Sequence, residues 1–225
     1  MIIPQTISYQ DNDILFESIA NDIVDKGFSI RPYALPEHLA SLLLHKISEL
    51  SDEKFKRAGV GRAKDHIISD FIRMDEICWI TGDSQAGQAW INWTESLQTY
   101  LNRELFLGLF SFESHFAHYT KGDFYKKHKD AFKGEGNRVL SVVVYLNQNW
   151  SADDGGELVI YDSQSESSSV LDNSRITVTP SFGTIVVFLS EEFPHEVLPA
   201  KRDRYSIAGW FRLNNSIANN IDPPS

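Results

Sequence analysis

His128-Lys129-Asp130 sets an imidazole and a carboxylate two positions apart. On a strand, positions i and i+2 share a face, so both heads can reach one ion. With seven histidines and 31 carboxylates in 225 residues, chance alone supplies about one such triplet. Taken by itself it reads first as a surface strand with a salt-bridge partner. His195 shifts the balance. It follows a buried run and the turn Glu191-Glu192-Phe193-Pro194, which places it at a strand end where a neighbouring strand can lend a third ligand. Two imidazoles and one carboxylate on one face of an octahedron leave three positions for a co-substrate and O₂, a set that favours Fe(II).

Arg204, nine residues further on, opens the run Arg204-Tyr205-Ser206-Ile207-Ala208-Gly209-Trp210. A lone arginine is ordinarily a solvated surface charge. This one shares a strand face with Ser206, Ala208 and Trp210, and that face is a candidate interior. A buried guanidinium needs an anion, and its planar fork suits a carboxylate. His38, His45, His66, His115 and His118 lack such a context and read as surface or satisfied core residues.

The elements that must position these residues follow from hydrophobic spacing. Residues 14–26 carry Ile14, Leu15, Ile19, Ile23 and Val24 and stop at Gly27, the pattern of a helix with a glycine stop. Residues 36–55 repeat it with Leu39, Leu42, Leu43, Ile47 and Leu50, with Pro36 in the first turn. A third helix is expected over 87–105, and 56–70 reads as a mobile connection with hairpin character. From about His115 the period changes. Residues 139–146 and 184–189 are nearly continuous β-branched runs, read as strands buried on both faces. Shorter strands are expected at 157–161, 176–179 and 205–213, separated by turn residues. Such spacing predicts a closed or nearly closed β-sandwich or barrel. The serine-rich stretch 163–174 reads as a solvated loop, and the last dozen residues as a disordered tail.

Composition bounds the rest. Apolar residues make up 42% and charged residues 23%, ordinary for a globular chain of one domain with a helical elaboration. The single cysteine, Cys78, excludes a disulfide framework and any multi-cysteine metal site. It points to a reducing, cytoplasmic setting. No signal peptide or membrane-spanning run is expected. A net charge of −10 gives no basic footprint for nucleic acid. Oligomeric state is not legible, and a monomer is the default.

Five segments in order carry a family pattern: Ile72-Arg73-Met74-Asp75-Glu76-Ile77-Cys78-Trp79-Ile80, His128-x-Asp130, Tyr145-Leu146-Asn147-Gln148-Asn149-Trp150, Gly155-Gly156-Glu157-Leu158, and Pro194-His195-Glu196-Val197 followed by Arg204 and Trp210. Across residues 70–213 the chain resembles the prolyl 4-hydroxylases of the hypoxia-inducible-factor type and their bacterial relatives, within the 2-oxoglutarate/Fe(II) dioxygenases. The resemblance implies an α+β fold. A double-stranded β-helix (jelly-roll, cupin-like) core at 111–213 would be flanked by an N-terminal helical support region at 1–110, with a tail at 214–225. It implies Fe(II) on His128, Asp130 and His195, 2-oxoglutarate and O₂ as co-substrates, and ascorbate as reductant.

Arg204 and Tyr145 would hold the distal carboxylate of 2-oxoglutarate. Tyr119 would line the co-substrate pocket, Trp210 would pack beside the iron, and Trp79 and Arg73 would stand where a prolyl substrate of a partner protein or peptide enters. By themselves, Tyr145 and Trp79 read as core aromatics. The run from Tyr119 to His128 is one residue shorter than in the animal enzymes and the serine-rich loop is longer, which bears on substrate identity. Two other readings stand beside this one: a hydroxylase of a free amino acid or small metabolite, and a catalytically silent barrel used for binding.

Overall fold

The computed structural model describes residues 9–50, 54–58, 72–131, 137–162 and 175–214. Most of the expected hairpin at 56–70, His66, the serine-rich loop and nearly all of the tail lie outside the described residues. Among those described, three helices and eleven strands run in the order α1 (Tyr9–Lys26), β1 (Phe28–Arg31), α2 (Glu37–Glu49), β2 (Lys56–Arg57), β3 (Glu76–Trp79), α3 (Gln85–Leu105), β4 (Ser111–Tyr119), β5 (Tyr125–His128), β6 (Arg138–Tyr145), β7 (Leu158–Tyr161), β8 (Arg175–Val178), β9 (Ile185–Leu189), β10 (His195–Val197) and β11 (Arg204–Arg212).

The helices form where the apolar spacing places them, with differences at the edges. In α1 the inward stripe is Phe16, Ile19, Ala20 and Ile23, at i, i+3, i+4 and i+7. Ile14 and Val24, expected on the apolar face, fall off that stripe and are exposed. Gly27 ends the helix at φ +78°, and its amide donates to the Ile23 carbonyl. Helix α2 begins after Pro36, which serves as N-cap, and stops at Glu49 rather than near residue 55, because Leu50 turns extended. Ser84 caps α3 by accepting from the Gly87 amide.

The strands build two antiparallel sheets. The larger has the order β1-β9-β6-β11-β4-β3-β2 and the smaller β5-β10-β7-β8. Alternation along the central strands divides the molecule into three layers. Phe116, Leu140, Val142, Val144, Ile185, Val187, Ile207 and Phe211 turn one face of the large sheet toward the helices. Ala117, Tyr119, Tyr145, Val186 and Phe188 turn the other face toward Leu158, Ile160, Val178 and Val197 of the small sheet. This is the α+β, double-stranded β-helix arrangement with helices on one side. The two continuous runs read as doubly buried strands are β6 and β9, both inside the large sheet.

Residues before 110, expected to be mostly helical, also supply β1, β2 and β3 to the large sheet. These strands are four, two and four residues long. So short a run is fixed by its partner more than by its own pattern: Phe28 pairs with Phe188, and Cys78 with Phe116.

Gly209 sits in β11 between β4 and β6. A Cβ there would lie 2.5 Å from the Phe112 ring and 2.8 Å from Ser114 Cβ. Ser114 in turn accepts a hydrogen bond from the buried Trp90 indole at 2.9 Å. Gly209→Ala is therefore expected to destabilise the fold by about 1–3 kcal/mol through overpacking, measured as a lower denaturation midpoint with an unchanged m-value.

Candidate active site

Strand β5 ends at His128 and β10 begins at His195, and the two histidines are direct cross-strand partners. Asp130 lies just past the end of β5 rather than on it. The triplet therefore meets by a bend after the strand and not by simple strand alternation. The Asp130 carboxylate stands 3.7 Å from His128 Nε2 and 3.6 Å from His195 Nε2. One ligand atom from each of the three lies within 4.8 Å of the others, a spacing that a single metal ion can bridge. Backbone carbonyls set the tautomers. His128 Nδ1 lies 2.8 Å from the Lys126 carbonyl and His195 Nδ1 lies 3.1 Å from that of Phe193. A carbonyl only accepts, so each Nδ1 carries the proton and each Nε2 keeps its lone pair for the shared point.

Burial would raise the Asp130 carboxyl, but His195, His128 and hydrogen bonds from Ser141 and Trp210 outweigh it and hold the group below the usual carboxylate range. The Ser141 hydroxyl donates to Asp130 at 2.6 Å, and buried Ser190 backs Ser141 at 2.9 Å. Burial and the neighbouring His195 push the His128 imidazole down to about 3, which keeps it neutral and able to ligate.

These groups open into a cavity of about 240 Å³ between the two sheets. Arg204 lines it and is 1% exposed. Its Nε donates to the Gly156 carbonyl at 2.8 Å and its Nη1 to Ser206 Oγ at 3.2 Å. Among the described residues no carboxylate pairs with it. A guanidinium so buried, without a counter-charge, is a place for an anion. Gly156, at φ +70°, is what allows the chain to come this close, since a Cβ there would press on Arg204 Cδ and Ala200 at 3.0 Å. The Tyr119 and Tyr145 rings lie 4.9 and 5.1 Å from the Arg204 guanidinium carbon. Burial raises both phenols, Tyr145 to about 12, so both remain donors. The Tyr145 hydroxyl is buried and has no partner among the described residues.

The other residues singled out from the sequence line the same cavity. Trp210 packs against the Arg138 guanidinium at 3.7 Å and is 8% exposed. Trp79 is half-exposed at the cavity mouth. Arg73 also lines the cavity, but its Nε and Nη2 are engaged by the fully buried Asp75 at 2.5 and 2.8 Å. His115, read from the sequence as a surface or satisfied core residue, lines the cavity between Trp79 and Trp210, with ring centroids 5.3 and 5.5 Å away. Ser141 and Ser206 were also missed as site residues. The available signal was register: Ser206 stands beside Tyr145, and Ser141 beside Trp210, on the inward face.

Residues 114–212 match the sequence profile of the 2OG-Fe(II) oxygenase superfamily. A solved prolyl-4-hydroxylase from Pseudomonas putida is 35% identical, covers 88% of this chain and 99% of its own, and superposes with a TM-score of 0.77. A prolyl hydroxylase from Trichoplax adhaerens, solved with a hypoxia inducible factor oxygen degradation domain peptide fragment, is 27% identical with a TM-score of 0.76 over 90% of this chain and 91% of its own. The mouse prolyl hydroxylase EGLN3 is 29% identical over 210 residues, 88% of this chain and 83% of that protein.

His115 carries a pH prediction. Burial, with Arg73 and Arg138 adding to it against the Phe116 carbonyl and Asp130, lowers the imidazole from 6.5 to about 3. The unfolded chain takes up this proton below pH 6.5 and the folded chain only near 3, so the stability contribution is present above 6.5 and lost as pH falls between the two values. Melting of the metal-free protein from pH 7 to 4 should show His115→Gln with a shallower loss than wild type, by about one proton or ~1.4 kcal/mol per pH unit.

Proposed function

The chain belongs to the 2OG-Fe(II) oxygenase superfamily, among the prolyl hydroxylases of the hypoxia-inducible-factor and bacterial type, and from this we propose that it hydroxylates C4 of a prolyl residue in a protein or peptide. In this reading His128, Asp130 and His195 hold Fe(II), and Arg204 with Tyr145 holds the distal carboxylate of 2-oxoglutarate. The single observation that carries it is three ligand heads within 4.8 Å of one another, in the same cavity as a buried guanidinium that pairs with no carboxylate among the described residues. The donor set fits the metal: two imidazoles and one carboxylate leave an octahedron half open.

Bound iron with 2-oxoglutarate and O₂ supplies the oxidising power, 2-oxoglutarate leaving as succinate and CO₂ while one oxygen atom enters a C–H bond. The chain's residues supply orientation. The Ser141 hydroxyl, itself backed by Ser190, holds one oxygen of Asp130, so the carboxylate does not swing away from the shared point. Arg204 is charged at any working pH, and the protonated Tyr145 hydroxyl adds a donor beside it. Ile77, Val143, Leu158 and Val197 line the cavity with aliphatic surface and limit water. Trp79 at the mouth offers a flat apolar ring to an incoming prolyl side chain. The similarity to a hydroxylase solved with a bound peptide supports a peptide over a free metabolite. The free Cys78 fits a reducing cytoplasm, and among the described residues no helix is long and apolar enough to cross a membrane.

Incubation with Fe(II), 2-oxoglutarate, ascorbate and a proteome extract should yield succinate together with a proline one oxygen atom heavier, located by mass spectrometry. Succinate formed alongside an oxidised free metabolite and no oxidised protein would sink the peptide reading. His128→Ala should abolish both products. Arg204→Lys loses the planar fork and should raise KM for 2-oxoglutarate by about tenfold to a hundredfold.

A further inference from the structure

Strand β5 is an edge strand of the small sheet, and it carries an irregularity at the site. Tyr125 pairs with Val197 and His128 with His195, so β5 takes three residue steps where β10 takes two. That extra residue is the signature of a bulge. Residues three apart on a regular strand face opposite sides. Here the bulge brings Tyr125 and His128 together, with ring centroids 3.6 Å apart and planes 16° from parallel.

The Tyr125 ring is itself held. The Arg73 guanidinium lies 4.7 Å from its centroid. Arg73 and Tyr125 form a β-bridge, flanked by backbone bonds from Met74 to Phe124 and from Lys126 to Ile72. Buried Asp75 accepts from Nε and Nη2 along one edge of the guanidinium and fixes its plane. His195 stands on an inner strand against the Phe188 ring. His128 rests on this stack and on the edge of the His195 ring, 4.3 Å away, and its side chain is more exposed, 18% against 7%.

We infer that Tyr125 is a positioning residue for His128, and that Arg73 and Asp75 make the setting of that ligand depend on the segment that also carries Trp79 at the mouth. The inference rests on the metal assignment proposed above. The stack restricts rotation of the imidazole about χ2, which the Lys126 carbonyl alone, bonded at one atom, leaves partly free. Arg73 thus serves the iron site through Tyr125, and Trp79 is left as the substrate-facing residue of the segment.

The test is anaerobic titration of the full metal-free chain with Co(II), followed by visible absorption, with thermal melting of each metal-free variant alongside. Tyr125→Phe keeps the stack and should bind within about twofold of wild type. Tyr125→Leu should bind about tenfold more weakly and show an altered Co(II) band, the scale on which loss of a ligand's support acts. Arg73→Lys, which keeps the charge beside Asp75 but not the planar contact, should shift both readouts in the same direction by about threefold. A folded Tyr125→Leu with wild-type affinity and spectrum overturns the inference. Should Tyr125→Leu fail to fold, Arg73→Lys decides: a weakened affinity with a shifted band upholds it, and wild-type values for both overturn it. A wild-type chain that takes up no Co(II) overturns the metal assignment itself, and this inference with it.

Discussion

The antiparallel pairing of β5 with β10 is the constraint on which the site depends. It puts His128 opposite His195, and nothing local to either residue could do so, since 67 positions of sequence separate them. Each imidazole then gives its Nδ1 proton to a carbonyl of its own strand or of the turn before it. What remains is two lone pairs directed to one place, with the Asp130 carboxylate brought alongside by the bend after β5. A slip of one residue in this register would turn one imidazole to the opposite face of the sheet.

The second organising feature is electrostatic. A chain with a net charge of −10 buries Arg204 almost completely, and among the described residues no carboxylate pairs with it. Removing a guanidinium from water is costly unless polar groups and a counter-charge replace the water. The chain supplies part of the replacement: the Gly156 carbonyl, the Ser206 hydroxyl and two tyrosine rings. The glycine pair 155–156 is the local requirement, because a side chain at Gly156 would collide with Arg204 itself. An anion would complete the compensation in the proposed reading, and the Tyr145 hydroxyl, buried without a partner among the described residues, stands beside the guanidinium.

The helical layer makes the site rigid without touching it. Trp90, Trp93, Leu97 and Leu101 of α3 pack on the face of the large sheet opposite the cavity. Residues of β4, β6 and β11 that line the cavity alternate with residues locked into that core. The Gly209–Ser114–Trp90 contact joins the two layers directly behind Trp210. Apolar packing on one side therefore fixes the positions of polar groups on the other, within the tolerance that metal and substrate geometry require.

The sequence by itself determined the chemistry available: the ligand types, the arginine and its strand face, the doubly buried runs β6 and β9, and the existence and order of the three helices. These are local properties, written in side-chain type and in periods of two or 3.6. Tertiary structure decided what depends on a distant partner. It placed β1, β3 and β5, which are four residues each and carry no period long enough to read. It put Asp130 beyond the strand end, where Ser141 holds it. It turned His115 from a nondescript histidine into a wall of the cavity. It brought Tyr125 against His128 by a bulge, which is visible only as a mismatch between two strands. Short strands take their stability and their register from the neighbour they bond to, and that neighbour is chosen by the whole chain.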